Sequence, residues 1–189
     1  MADQIHSLDE LEELIYDLTV SMLGEDEEST NVRRSWPTEG APAFDKDDNV
    51  VFYRIYDVPS PLTGQRESTY SQEGSPEVPN MATSYTRTFQ VSWICYGSNS
   101  WAYANLIRNG LFYQENRDVL AREHIFVVPD MAPPKRVPEQ FSGLWYERCD
   151  LEIRFNEHVI VNRMVPYLET ARIVVEDYSG VVATIDVEE

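Results

Sequence analysis

The chain of 189 residues is 42% hydrophobic, and 33 acidic against 15 basic side chains leave it a formal charge of -18. That apolar fraction supplies a core and excludes wholesale disorder, so one domain over 1–189 is expected. The charge excludes a protein that draws its affinity from nucleic-acid phosphates, because thirteen Arg and two Lys are scattered and outnumbered, and free DNA is repelled.

Residues 1–31 carry ten of the acidic side chains and no Lys or Arg. Within this acidic arm Leu8, Leu11, Leu14, Ile15, Leu18 and Met22 recur at spacings of three and four, the stripe of an amphipathic helix. Ser7 with Glu10 makes a capping-box pattern, carboxylates crowd the positive end of the helix dipole, and Gly24 suits a left-handed C-terminal turn. The plain reading of the acids is the solvated outer face of a docked helix. Residues 25–48 mix an acidic loop with a short strand around 31–36, which Pro37, Gly40 and Pro42 interrupt. Residues 50–56 alternate as a strand. From 59 to 80 the composition shifts to Pro, Ser, Gly, Thr, Gln and Glu with almost no aliphatics. That predicts a long loop ordered only against a neighbour, since so little apolar surface cannot offset the entropy of ordering it.

The clearest strand is 83–96, with Tyr85, Phe89, Val91, Trp93 and Cys95 on one broadly apolar face and Thr86, Thr88, Gln90 and Ser92 opposite. Gly97 ends it. Ser98, Asn99 and Ser100 are candidate N-caps for a helix over 101–111, in which Tyr103, Ile107 and Leu111 share one side and Gly110 sits near the end. A short helix at 115–122 feeds a strand at 125–128, and Pro129, Pro133, Pro134 and Pro138 mark an extended connector. Over 144–156, Trp145, Cys149, Leu151, Ile153 and Phe155 interleave with Tyr146, Arg148, Asp150, Glu152 and Arg154. A slip of one residue would bury four charges, so the register is firm, with Glu147 the one dissonant position on the apolar face. A β-rich stretch at 159–161 leads to Pro166, and 173–176, a turn at 177–180 and 181–187 read as a C-terminal hairpin. The whole is an α/β chain of the α+β type: a mainly antiparallel or mixed sheet flanked by helices, closed by a C-terminal β-hairpin.

Cys95 and Cys149 suffice neither for a four-ligand zinc site nor for a disulfide scaffold, and read as buried reduced thiols. The N-terminus lacks a basic region followed by an apolar one, so no secretory signal is expected and folding in a reducing cytosol is. The longest uncharged run, 88–107, holds Gln90, Ser92, Ser98, Asn99, Ser100 and Asn105 and changes period midway, which excludes a membrane span. His6, His124 and His158 have no ligand-like spacing, and Glu157-His158 is not the helical H-E-x-x-H arrangement that puts two imidazoles on one metal. There is no G-x-S-x-G, no phosphate loop and no dinucleotide fingerprint. No enzymatic activity, metal or cofactor is expected.

The sequence does offer a contact surface. The face Tyr146, Arg148, Asp150, Glu152 and Arg154 carries both signs, which suits pairing with a neighbouring strand or copy, and equally suits the charged outer side of a half-buried sheet. The abundance of aromatics and the preference for Arg over Lys match interface composition.

One segment resembles a known family. Residues 89–112 read as a strand that ends at an aromatic-Gly turn, Tyr96-Gly97-Ser98-Asn99, then a helix that ends in Arg108-Asn109-Gly110-Leu111. This wording resembles phage neck or tail terminator proteins, and the aromatic-rich strand after the Pro-bearing connector resembles the family's next element, so the likeness covers roughly 83–156. It implies Tyr96, Gly97, Asn99, Arg108 and Gly110 as the family-like turn and helix. It also implies a structural virion protein of the head-to-tail junction, assembled in the host cytoplasm into a homo-oligomeric ring, typically a hexamer. That ring would terminate the tail tube and join it to the neck, with neck or connector proteins and the tail tube protein as partners. DNA would pass through the channel without specific binding, helped by acidic lining, and no membrane would be involved. Two other readings stay open: another neck component such as an adaptor or stopper, and an acidic DNA mimic. Against the mimic, the acids concentrate in one helical arm and are not spread at phosphate-like spacing.

Overall fold

The computed structural model describes residues 3–24, 31–36, 40, 43–71, 80–165, 170–177 and 180–188. The acidic N-terminal sequence forms helix α1 (Leu8–Leu23). Its start is fixed as the capping box requires: the Glu10 N–H donates to Ser7 Oγ at 3.3 Å, and the Ser7 N–H donates to Glu10 Oε2 at 2.7 Å. Gly24 ends it in the left-handed region, at φ 68°.

Strand β1 (Val32–Arg34) and strand β2 (Val50–Asp57) follow, then a 3-10 turn (Pro61–Gly64) and strands β3 (Arg66–Ser71) and β4 (Asn80–Tyr96). Helices α2 (Ser100–Gly110) and α3 (Gln114–Arg122) lead to β5 (Ile125–Val127), β6 (Lys135–Arg136), β7 (Glu139–Phe141), β8 (Leu144–Tyr146) and β9 (Arg148–Met164). The chain ends in β10 (Thr170–Asp177) and β11 (Gly180–Glu188), a two-stranded antiparallel sheet of their own. The expected C-terminal hairpin is thus present, with residues 178 and 179 of its turn outside the described residues.

The main sheet is organised by β4 and β9, which pair antiparallel along all 17 residues of each. At roughly 3.3 Å per residue this ribbon is about 55 Å long. One edge of β4 takes β2 and, farther along, β3; the outer edge of β9 takes β6 and β5. Strand β1 adds parallel to β2, so the sheet is mixed and the molecule is α+β.

Alternation along β4 and β9 sends Phe89, Val91, Trp93, Cys95, Cys149, Leu151, Ile153 and Phe155 to one face, where α1 and α2 cover them. All eight are at most 1% exposed. Trp93 donates from Nε1 to Thr19 Oγ1 of α1 at 3.0 Å, and the Thr19 hydroxyl donates to the Ile15 carbonyl at 2.6 Å, so the buried indole is satisfied. Phe89 and Phe155, opposite in register, stack with centroids 5.4 Å apart. Cys95 and Cys149 also face one another, buried and unbridged, and burial pushes both thiols up.

Three expectations change. The supposed loop 59–80 contains a 3-10 turn and β3, which runs along β4 as the interrupted continuation of β2. Its residues lack the aliphatic alternation of a core strand because β3 is an edge strand exposed over nearly all its length. Residues 72–79 lie outside the described residues. The strand expected over 144–156 breaks at Glu147, the dissonant position: β8 belongs to a separate hairpin with β7, and Trp145 is 64% exposed instead of buried. Beyond 156 the strand does not stop but runs on through 159–161 to Met164, because β4 stays beside it. The extended proline connector contributes β6 on the way.

Candidate subunit-contact face

Among the described residues no helix covers the second face of the sheet. Register sets its rows: Tyr96 opposite Arg148, Ile94 opposite Asp150, Ser92 opposite Glu152 and Gln90 opposite Arg154, with Phe52, Arg54 and Tyr56 of β2 continuing them. Of the five predicted contact residues, the structure brings three together. Arg148 donates from Nε and Nη2 to both oxygens of Asp150, at 2.7 and 2.8 Å, and from Nη1 to Glu139 Oε2 at 2.7 Å. Tyr96 donates its hydroxyl to the other Glu139 oxygen at 2.6 Å, and Arg148 also lies over the Tyr96 ring. The hydrogen bonds it donates to Asp150 raise the Arg148 pKa above its ordinary value against the cost of burial. Burial pushes Glu139 up, but the Tyr96 and Arg148 hydrogen bonds outweigh it and hold that carboxyl below its ordinary range. Burial and then the Glu139 bond push the Tyr96 hydroxyl up. Arg148 therefore spends three of its five N–H donors within its own chain.

Tyr146 joins an aromatic cluster, edge-on to Phe44, Tyr96 and Phe141 at centroid distances of 6.1, 6.5 and 6.5 Å. With Phe52 these rings line a cleft of about 480 Å³. Glu152 and Arg154 stand apart from this cluster and are exposed; the nearest carboxylate to Arg154 is Asp130, at 3.8 Å. The hairpin of β7 and β8 adds the exposed Phe141, Leu144 and Trp145 at the Tyr96–Arg148 end of the face. Sequence reasoning missed Phe44, Phe52, Phe141 and Glu139. Only Phe52 carried a signal, as the outward position of an alternating strand.

The predicted turn and helix form as one joint. Gly97 has φ 91°, and a Cβ there would lie 2.5 Å from the Asp48 carbonyl oxygen, so no other residue fits without displacing backbone. Asn99 is the N-cap of α2 but makes no side-chain cap bond; the Asn49 side chain accepts the Asn99 N–H at 2.9 Å instead. Arg108 reaches the Met131 carbonyl at 3.4 Å and lies over the Phe112 ring. Gly110 is buried against Met22, where a Cβ would meet the side chain at 2.5 Å, so this glycine sets how closely α1 and α2 approach. The turn and helix therefore shape the fold, while the open face holds what remains accessible.

Among the described residues no group of three or more His, Cys, Asp or Glu is placed to hold a metal ion, and no helix is long and apolar enough to cross a membrane. No curated protein matches the chain. A family model described as phage neck terminator protein matches residues 9–186, from the start of α1 into the last strand of the C-terminal hairpin. With nearly the whole chain matched, and with the turn and helix at 96–110 within it, the protein belongs to the phage neck terminator family, structural proteins of the virion neck and tail.

Proposed function

We propose that the protein works as a closed ring of identical subunits, a hexamer, set around the DNA path where the tail tube ends and the neck begins. Each subunit is one domain over 1–189, and neighbouring neck proteins and the tail tube protein meet the two rims of the ring. The work is mechanical: no bond is made or broken and no cofactor takes part. The observation that carries this reading is the sheet with one face sealed by α1 and α2 and the other left open, in a chain of the terminator family. A face on which Glu152 and Arg154 are exposed, with the Arg148–Asp150 pair and the β7–β8 hairpin at its other end, offers both signs of charge and apolar area for a head-to-tail contact that closes on itself. Negative charge left facing the channel keeps DNA from adhering as it passes.

Negative-stain imaging of the purified protein tests the reading. Rings with an open channel and six-fold averages are expected, while a lone monomer at all concentrations and also in intact virions overturns it. A different symmetry would favour an adaptor or stopper.

A further inference from the structure

Glu157 is 1% exposed, on the helix side of β9, and plays no part in the open face. It lies opposite Arg87 in register, and Arg87 Nε donates to its Oε2 at 2.6 Å. The segment before α1 completes this pair. The His6 N–H donates to Glu157 Oε1 at 2.9 Å, His6 Nδ1 lies 2.8 Å from the same oxygen, and Arg87 Nη2 donates to the His6 carbonyl at 3.0 Å. On its other side, His6 Nε2 faces Glu123 Oε2 at 3.2 Å, from the turn that follows α3. Glu10 of α1 adds a further negative charge within electrostatic reach of the ring.

A neutral imidazole has one proton for these two carboxylates. If it donates from Nδ1 to Glu157, Nε2 becomes an acceptor pointed at an accepting oxygen; only the imidazolium donates to both. The same segment covers the outer edge of β9. Gln4 exchanges both backbone hydrogen bonds with Ile160, at 2.8 and 3.0 Å, its side-chain amide donates to the His158 carbonyl at 3.2 Å, and Asp3 accepts the Asn162 N–H at 2.7 Å.

The geometry points to a detachable cover. Residues 3–7 close the outer edge of β9 while His6 is an imidazolium between Glu157 and Glu123, and they loosen when His6 is neutral, which frees an extended backbone edge that another strand can pair with. Burial opposes the charge on His6, but hydrogen bonds to Glu157 and then Glu123 outweigh it and hold the pKa above the ordinary 6.5. A group raised in this way stabilises fully below 6.5 and loses its effect as pH rises through the raised value.

Hydrogen exchange of the full chain between about pH 5.5 and 8.5, with rates corrected to protection factors, tests the cover. Protection of the Gln4 and Ile160 amides should fall as pH rises above 6.5, by up to about tenfold per unit, and level off beyond the raised His6 value, while the Leu151 amide in mid-strand stays flat. His6→Gln should remove the slope, and Glu123→Gln, at an exposed position, should move the fall to lower pH. Flat protection at Ile160 in the unaltered chain, or an unchanged slope in His6→Gln, overturns the proposal. Should His6→Gln fail to fold, Glu123→Gln decides alone, and an unmoved fall overturns it.

Discussion

Trp93 is fully buried against α1, and its indole N–H is satisfied by Thr19. Trp93→Ala removes the largest buried side chain of the core and leaves a cavity that the stiff β4–β9 ribbon cannot close, so a loss of about 3–5 kcal/mol is expected in denaturant titration. A loss below about 1 kcal/mol would mean that β4 presents its other face to the helices. Thr19→Val keeps the volume but strips the indole of its acceptor, for about 1–3 kcal/mol by the same measurement.

At the scale of elements, β9 is held to its surroundings by different chemistry at its start and at its middle. Near Phe155 the hold is apolar and stacked; at Arg148 it is ionic, and Arg148 ties the strand to β7 through Glu139. Arg148→Ala leaves Glu139 and Asp150 short of a donor, and a destabilisation of about 1–3 kcal/mol is expected in the isolated subunit, before any assembly. The exposed bidentate pair of Arg136 with Glu147 resembles it on paper. Arg136→Ala should nonetheless leave the denaturation midpoint nearly unchanged, because both partners lie in water.

For the whole molecule, the question is how copies that each carry -18 come together. Self-repulsion opposes any ring, so contacts must place the few unengaged cations against carboxylates of the neighbour. Arg148 is already engaged by two carboxylates, whereas Arg154 has the exposed Asp130 at 3.8 Å, which makes Arg154 the more available of the two predicted contact cations. Arg154→Glu is therefore expected to leave the melting of the dissociated subunit within about 0.5 kcal/mol of the parent while it lowers the ring fraction in light scattering, most at low salt where charges are least screened. Virions built with it should accumulate as separate filled heads and tails. An undiminished ring fraction at every salt concentration would show that the face is merely solvated.

Local pattern was enough to read most of the fold. The capping box at Ser7 and Glu10, the stripe of α1, the alternation of 50–56, 83–96 and 149–155 and the turn at Gly97 depend on neighbours a few residues away, and each formed as read. Pattern failed where a strand has no apolar face to alternate, as in β3, and where a break is set by a partner, as at Glu147 between β8 and β9. The open face was half legible. Alternation placed Arg148, Asp150, Glu152 and Arg154 outward, but which of them remain available depends on Glu139, brought beside them by the fold. Gln4 and Ile160, or His6 and Glu157, lie more than 150 residues apart, and no periodicity links such positions. Sequence alone determined the elements and the outward direction of the charges, because those follow from backbone period and local capping; only the tertiary structure decided which charges are spent, because pairing depends on distances that chain folding sets.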